Sequence, residues 1–226
     1  MNNSDLQNKI AWTKEIKKNV MLYPNERIVA FLARNYKDIE VNSSKKALDI
    51  GFGSGRHLKL LLDYGFQTYG TDYSEECLKI ANDKLKNYSG LQKLSLHSIE
   101  ELDYQNETFD VILLYGVAFL RQFEEMKQDL QHIFNLLKVG GKSIVNFRTN
   151  EDDMFQTGKK VSEQTYILND DRYPSYRNML YTFLSLEEAK ELLESTGFKI
   201  INIEREDYWK NQLEQKNSWW IFTVEK

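Results

Sequence analysis

The chain has 226 residues and a formal net charge of −4, enough length for one α/β domain with a buried core. Its lysines and arginines are scattered, which argues against a nucleic-acid substrate, and a single cysteine, Cys77, excludes an internal disulfide framework. The longest apolar run, 111–120, is too short to span a bilayer, and the first residues lack the features of a signal peptide. We therefore expect a cytoplasmic protein with no membrane partner.

The N-terminal segment, residues 1–35, is predicted to be helical. Pro24 separates two helices, and the second carries an apolar face that includes Ile28, Phe31 and Leu32. We interpret this segment as a helical lid, with the stretch around Trp12 and Tyr23 closing over a bound molecule.

Strands and helices then alternate along the chain, which indicates a parallel sheet with helices on both faces. A capping box at Ser185 and Glu188 opens a further helix, which Gly197 ends. The predicted helices lie at 56–64, 74–87, 123–138 and 185–196. The seven predicted strands lie at 46–50, 67–71, 93–96, 109–114, 142–147, 199–204 and 219–224. With no repeat and no second domain visible, residues 1–226 are read as a single domain.

One segment, 149–181, does not fit this alternation. It is polar but rich in aromatic residues, and a loop of that length inside a compact domain is usually functional or has structure of its own. Residues 166–168 and 179–181 could pair as a hairpin. We expect this insert, which follows the fifth strand, to hold an acceptor molecule.

The stretch 46–57, KALDIGFGSGRH, carries the most chemical information. An apolar strand runs into three alternate glycines, Gly51, Gly53 and Gly55, and a helical pattern follows. Glycines allow a left-handed backbone and let a ligand approach a helix N-terminus. A second strand ends on Asp72, 21 residues after Gly51, where a carboxylate can accept hydrogen bonds from both ribose hydroxyls. Together these features predict a nucleoside-containing cofactor.

The glycine spacing distinguishes between cofactors. A dinucleotide fingerprint is G-x-G-x-x-G, whereas this chain has G-x-G-x-G with Asp49 two residues ahead. That carboxylate would repel a pyrophosphate but suits a ligand with an amino group, such as S-adenosylmethionine. The stretches ALDIGFGSGRH and YGTDYS resemble motifs I and II of the class I S-adenosylmethionine-dependent methyltransferases.

The resemblance continues downstream, over roughly residues 45–150 and 182–226. Segment 98–102 is similar to the family's adenine-contact segment, with Ser98 where an acid is usual, and 136–141 is similar to the turn before its fifth strand. The resemblance implies a Rossmann-like, seven-stranded, mostly parallel sheet whose last strand is antiparallel. It also implies S-adenosyl-L-methionine as the cofactor.

The expected cofactor-binding residues are Asp49, Gly51, Gly53, Gly55, Asp72, Tyr73, Ser98, Ile99 and Tyr115. Several have a structural alternative: a turn partner for Asp49, and core packing for Tyr73 and Ile99. Arg148, at the end of the fifth strand, and Tyr181 are the expected acceptor-binding residues, although Arg148 could instead form a surface salt bridge.

His57 is a weak candidate for a general base, with a structural helix opening as its alternative. No metal is expected. Trp219 and Trp220 are expected to be packing residues.

These observations favour methyl transfer to an oxygen or nitrogen atom of a small-molecule acceptor. The chain reads Leu-Leu-Tyr-Gly after the fourth strand, where nucleic-acid amino-methylating enzymes show Asn-Pro-Pro-Tyr. A catalytically silent, cofactor-binding regulatory protein remains an alternative, as does, less favourably, a nucleic-acid or protein methyltransferase. A nicotinamide-dependent oxidoreductase would need the wider glycine spacing. A monomer or a homodimer is expected.

Overall fold

The computed structural model describes residues 3–226, with side chains from residue 6 onward. Its helices are α1 (Asn3–Lys18), α2 (Glu26–Asn35), α3 (Ile39–Asn42), α4 (Arg56–Asp63), α5 (Glu75–Leu85), α6 (Phe123–Leu136) and α7 (Leu186–Ser195). Its strands are β1 (Lys46–Ile50), β2 (Gln67–Asp72), β3 (Leu91–Leu96), β4 (Phe109–Leu114), β5 (Leu137–Thr149), β6 (Lys159–Lys160), β7 (Thr165–Ile167), β8 (Leu180–Leu184), β9 (Lys199–Lys210) and β10 (Gln215–Glu225).

Seven of these strands form the central sheet, in the order β3-β2-β1-β4-β5-β10-β9. The first five are parallel, and β10 runs antiparallel to both of its neighbours. The predicted α/β fold with an antiparallel last strand is confirmed. Because the parallel strands end at one edge, the loops that follow β1, β2, β4 and β5 meet there.

The predicted number of seven strands is wrong, since ten strands pair in the described chain. Strand β5 continues to Thr149, and β8 pairs with its end in parallel. Strand β7 then pairs antiparallel with β8, with Tyr166 opposite Tyr181, and β6 adds to β7. The hairpin prediction for the insert is confirmed, and the extra strands arise because the insert satisfies its backbone groups by extending the sheet.

Apolar residues cover both faces of the sheet. On one face, α6 and α7 bury side chains such as Leu130, Ile133 and Leu193. On the other, α2 buries Ile28 and Leu32, and the side chain of Asn25 caps this helix by accepting from the Arg27 N–H. Each buried Leu or Ile contributes about 1.5–3 kcal/mol, so these helices hold the strand ends of the site firmly in place.

The insert has a hydrophobic core of its own. Met154, Tyr166, Tyr173, Tyr181 and Phe183 pack together with Phe119, which follows β4. The insert is therefore a packed layer at the carboxyl edge of the sheet, fixed by aromatic contacts rather than by regular structure alone.

Candidate active site

The glycine loop connects β1 to α4 in a left-handed conformation. The φ angles are +71° at Gly51, +54° at Gly53 and +76° at Gly55, which glycine adopts without the steric cost of a side chain. A Cβ atom at Gly51 would lie 2.3 Å from Cγ2 of Val117, in the loop after β4. The loop is therefore closely packed against its neighbour and requires glycine.

Asp72 joins the glycine loop to the end of β2. Its Oδ2 accepts a hydrogen bond from the Gly53 N–H at 2.9 Å, and its Oδ1 accepts from the Ser74 N–H at 2.8 Å. Burial raises the pKa of this carboxyl, and the two backbone donors oppose that rise. Asp72 thus connects the glycine loop to the loop that follows β2, at the position where the sequence predicts ribose binding.

Asp49 is a buried carboxylate with an unsatisfied oxygen. It is 2% exposed, and its Oδ2 has no hydrogen-bond partner among the described groups. Burial and the nearby Asp72 raise its pKa well above the usual range, while Arg56 acts in the opposite direction. A buried carboxylate without a donor costs free energy, and a bound cation would offset that cost.

A first cavity, of about 100 Å³, brings together most of the expected cofactor residues: Gly51, Asp72, Tyr73, Ser98 and Ile99. The Ser98 hydroxyl donates to Glu101 Oε2 at 2.8 Å, so its proton is used within the local turn. Its oxygen remains a hydrogen-bond acceptor. We refer to this space as the cofactor cleft.

Gly55 does not line the cofactor cleft. A Cβ atom there would lie 3.2 Å from the Ala81 Cβ, so this glycine allows α4 and α5 to approach each other closely. Asp49 also lies outside the cavity wall. It could act on a ligand in the cleft only electrostatically, from behind the glycine loop. The expectation of direct cofactor contact thus fits Gly51, whereas Gly53 lies in the wall of the adjoining cavity and Gly55 in the wall of neither.

A second cavity, of about 300 Å³, adjoins the first and contains Gly53, His57, Tyr115, Arg148 and Tyr181 in its wall. Both cavities share four residues, which form their junction: Trp12, Gly51, Gly116 and Leu120. We refer to the second space as the acceptor cavity. Tyr115, expected near the cofactor or the acceptor, lies on this side, and burial raises the pKa of its phenol.

His57 is buried behind the glycine loop. Its Nε2 accepts a hydrogen bond from the Asn25 N–H at 3.2 Å. Burial, with a smaller effect from Arg56, lowers its pKa to about 3. The imidazole is therefore neutral at physiological pH, and its Nε2 lone pair is already engaged. These contacts match the structural interpretation of His57, which ties α4 to the start of α2.

Arg148 does not form a surface salt bridge, and its guanidinium is not free to bind an anion. It is 3% exposed, and its Nη1 donates to Asp152 Oδ2 at 2.5 Å and to Asn217 Oδ1 at 3.0 Å. Its guanidinium carbon lies 3.6 Å from the ring centroid of Trp219 and 5.7 Å from that of Tyr181. The surface salt bridge alternative is wrong because the insert folds over β5 and brings Asp152 onto the arginine.

Helix α1 covers both cavities, and Asn8 fixes it there. The Asn8 Nδ2 donates to the Leu120 carbonyl at 3.0 Å, and its Oδ1 accepts from the Leu180 N–H at 2.9 Å. Trp12, four residues later, lines both cavities. Tyr23, by contrast, is 81% exposed and lies outside the wall.

Sequence reasoning missed several wall residues. The Asn8 side chain bonds to backbone groups more than 100 residues away, so no local pattern reveals it. Trp219 packs against the buried clusters, as expected, and also forms part of the acceptor cavity, whereas Trp220 is buried and donates to the Leu184 carbonyl. The alternation of side chains along β10 places these two tryptophans on opposite faces.

Across residues 3–226, none of the helices has the length and apolarity that a membrane crossing requires. The same residues bring together no group of three histidine, cysteine, aspartate or glutamate side chains that could hold a metal ion.

Comparison with known proteins relates this geometry to a family. The family described as "Methyltransferase domain" matches residues 48–145. A phosphoethanolamine N-methyltransferase from Plasmodium falciparum is 26% identical over 187 residues, covering 80% of this chain and 64% of that protein. The chain spans about six tenths of the length of the curated relatives it matches first.

Two solved structures share the fold. An S-adenosylmethionine-dependent methyltransferase from Methanosarcina mazei superposes with a TM-score of 0.71 at 15% identity, covering 91% of this chain and 99% of that one. A Burkholderia thailandensis 1,6-didemethyltoxoflavin-N1-methyltransferase, solved with its substrate and S-adenosylhomocysteine, gives 0.64 at 14% identity, covering 100% and 91%. Residues 48–145 thus match a methyltransferase domain, and the chain has the fold of these S-adenosylmethionine-dependent methyltransferases.

Proposed function

We propose that this chain is an enzyme that transfers a methyl group from S-adenosyl-L-methionine to an oxygen or nitrogen atom of a small-molecule acceptor. The observation that carries the proposal is the junction of two cavities at Gly51 and Gly116, at the carboxyl edge of the sheet. One cavity has the residues for a nucleoside, and the other is large, aromatic and adjacent to it. That arrangement suits a cofactor that passes a small group to a neighbouring molecule.

The residues of the cofactor cleft fit S-adenosylmethionine. Asp72 would accept hydrogen bonds from the ribose hydroxyls, and Tyr73 and Ile99 would pack on the adenine. The Ser98 oxygen would accept from the adenine amino group. The unsatisfied Asp49 carboxylate, behind the glycine loop, would stabilise the cofactor's ammonium group through its charge. When bound, this cofactor supplies an electrophilic methyl group on a sulfonium with a neutral leaving group.

The contribution of the protein is then placement and exclusion of water. Trp12 on α1 closes over the junction, while Tyr176 and Tyr181 of the insert form the far wall of the acceptor cavity. Holding an acceptor in line with the reacting group can contribute several kcal/mol, and a closed cavity removes the water that would solvate the nucleophile. The lid and acceptor-site roles predicted for 1–35 and 149–181 are part of this proposal.

Acid–base chemistry by His57 is not part of the proposal. A group with a pKa of about 3 and an engaged Nε2 is a poor proton acceptor at neutral pH. We propose instead that His57 positions the start of α2 and the ring of Tyr115, which lies edge-on to it at 6.3 Å between centroids.

The small-molecule class of acceptor is favoured by two further observations. The acceptor cavity is lined by α1, the insert and β9–β10, and its volume matches a small molecule rather than a folded macromolecule. The names of the Plasmodium relative and the Burkholderia neighbour both specify small-molecule substrates. A silent cofactor-binding protein would have no need of a second, adjoining cavity of this size.

The proposal is tested by calorimetry with S-adenosylhomocysteine, followed by transfer of a labelled methyl group from S-adenosylmethionine to a panel of small phenols and amines. We expect cofactor binding and turnover with some members of the panel. Cofactor binding without turnover on any acceptor would favour the regulatory alternative. Salt-sensitive binding of RNA or DNA at micromolar protein would contradict the small-molecule assignment.

A further inference from the structure

We infer that the acceptor is a flat, conjugated and uncharged molecule with a carbonyl or hydroxyl oxygen, rather than a phosphate- or ammonium-bearing chain. This inference rests on the proposed function and specifies the acceptor for the same site. It is drawn from the wall of the acceptor cavity, its charge balance and the state of Arg148.

The wall of the acceptor cavity is strongly aromatic. Eight of its 23 residues are phenylalanine, tyrosine or tryptophan, against 13% in the whole chain. They come from α1, the loops after β1 and β4, the insert and the two last strands: Trp12, Phe52, Tyr115, Phe119, Tyr176, Tyr181, Tyr208 and Trp219. Flat apolar faces on several sides favour a flat ring system over a flexible chain.

The charges in this wall cancel. It contains two arginines, Arg56 and Arg148, and two acids, Glu15 and Glu206. Each arginine also has an acid of its own behind the wall, since Asp49 influences Arg56 and Asp152 pairs with Arg148. A phosphate entering beside Arg148 would meet the Asp152 carboxylate in the same ion pair, so its attraction to the guanidinium is largely offset.

An ammonium group is also disfavoured. Cation recognition uses free aromatic faces, but the guanidinium of Arg148 already lies within 3.6–5.7 Å of the ring centroids of Trp219, Phe119 and Tyr181. The guanidinium thus already occupies a face of each of these three rings, which an ammonium group would need.

Arg148 nevertheless has a hydrogen-bond donor that is not used within the protein. Its Nε–H is buried and has no partner among the described groups, although the residue belongs to the cavity wall. A neutral carbonyl or hydroxyl oxygen would satisfy this donor without disturbing the ion pair with Asp152. A purely hydrocarbon acceptor would leave it unsatisfied.

The test uses isothermal titration with the full chain saturated by S-adenosylhomocysteine. The probes are coumarin, which is flat with a carbonyl, naphthalene, which is flat without oxygen, and phosphoethanolamine. We expect coumarin to bind about tenfold more tightly than naphthalene, and phosphoethanolamine to bind undetectably. Tighter binding of phosphoethanolamine than of coumarin would overturn the inference.

Two variants and a control locate the site at which coumarin binds. Trp219→Leu should weaken coumarin binding by about tenfold while S-adenosylhomocysteine affinity stays within a few-fold of the parent. Tyr176→Leu, on the insert, provides the same test should Trp219→Leu fold poorly. The matched control is Trp209→Leu, because Trp209 is 53% exposed on β9 and lies outside the wall.

The outcomes separate the two proposals. Coumarin binding that neither Trp219→Leu nor Tyr176→Leu weakens would place the molecule elsewhere and overturn the inference, with the proposed function intact. Failure of the parent chain to bind S-adenosylhomocysteine would instead refute the proposed function, and the inference with it.

Discussion

The cofactor cleft and the acceptor cavity are built in different ways. The cleft depends on residues close in sequence, such as Gly51 and Thr71, which are 20 positions apart and joined by a backbone hydrogen bond. The cavity is assembled from α1, the end of β5, the insert and the β9–β10 hairpin, with Arg148 bonded to Asn217 across 69 positions. The first is centred on a local strand–loop–helix unit, whereas the second is built mainly from segments distant in sequence.

The cofactor cleft and the acceptor cavity also differ in the charges that are buried beside them. The cofactor side buries Asp49 and Asp72, and burial raises the pKa of both carboxyls. The acceptor side instead buries a matched pair, Arg148 and Asp152. The cofactor side therefore favours a cation, while the acceptor side is close to neutral. The predictions below test this contrast, from the largest expected effect to the smallest.

The largest effect is expected from Gly53→Val. A branched side chain disfavours the φ of +54° at this position and occupies the space where ligand and backbone meet. S-adenosylhomocysteine affinity should fall by more than about 1,000-fold, as measured by calorimetry.

The matched control for Gly53→Val is Gly140→Val, near the start of β5 and outside the walls of both cavities. Gly140 has a φ of +76°, but a Cβ atom there meets nothing within 4 Å. This variant should lose stability in thermal unfolding while keeping its cofactor affinity. Normal binding by a folded Gly53→Val protein would mean that the loop is only a structural turn.

On the acceptor side, Arg148→Met should be the most damaging single change. It leaves Asp152, with a fully buried side chain, without its cation, and breaking a buried pair in this way costs about 3–5 kcal/mol. Urea unfolding measures the loss. The control is Arg205→Met, which breaks an exposed pair with Glu151 and should cost about 1 kcal/mol or less. Equal losses would mean that Arg148 does not anchor the insert.

The same contrast explains what the sequence could predict. The strands that flank the glycine loop, and the roles of Gly51 and Asp72, follow from short-range spacing and backbone conformation. The ion pair of Arg148, the contacts of Asn8 and the position of Trp219 depend on packing between distant segments, which spacing does not encode. The extra strands were missed for a related reason, because β8 pairs with the end of β5 only after the insert has folded back.

Asp72→Ala should weaken cofactor binding less than Gly53→Val does. It removes a charged acceptor for the ribose hydroxyls and also releases the Gly53 and Ser74 N–H groups. Cofactor affinity should fall by roughly 30- to 1,000-fold, about 2–4 kcal/mol. Asp83→Ala, an exposed carboxylate on α5, is the control and should change nothing. Unchanged affinity in the Asp72 variant would refute the ribose role.

The smallest effect, and the most specific to this contrast, is expected from Asp49→Asn. The carboxylate is buried with an unsatisfied oxygen, so its removal should raise the free energy of unfolding of the cofactor-free protein by about 1–2 kcal/mol at neutral pH. Affinity for S-adenosylmethionine should fall roughly tenfold, because the ammonium group loses the field of that charge. Stability and binding thus move in opposite directions.

The pH dependence identifies the source of that stability gain. Because the pKa of Asp49 is raised in the folded protein, folding takes up a proton between the ordinary value of 3.8 and the raised one. The parent protein therefore loses stability relative to the Asp49→Asn variant as the pH rises through this window, and below about pH 4 the two should unfold alike. Urea unfolding at several pH values measures the difference. A variant less stable than the parent at neutral pH would mean that the carboxylate already has a partner in the folded chain, and the proposed ammonium site behind the glycine loop would have to be abandoned.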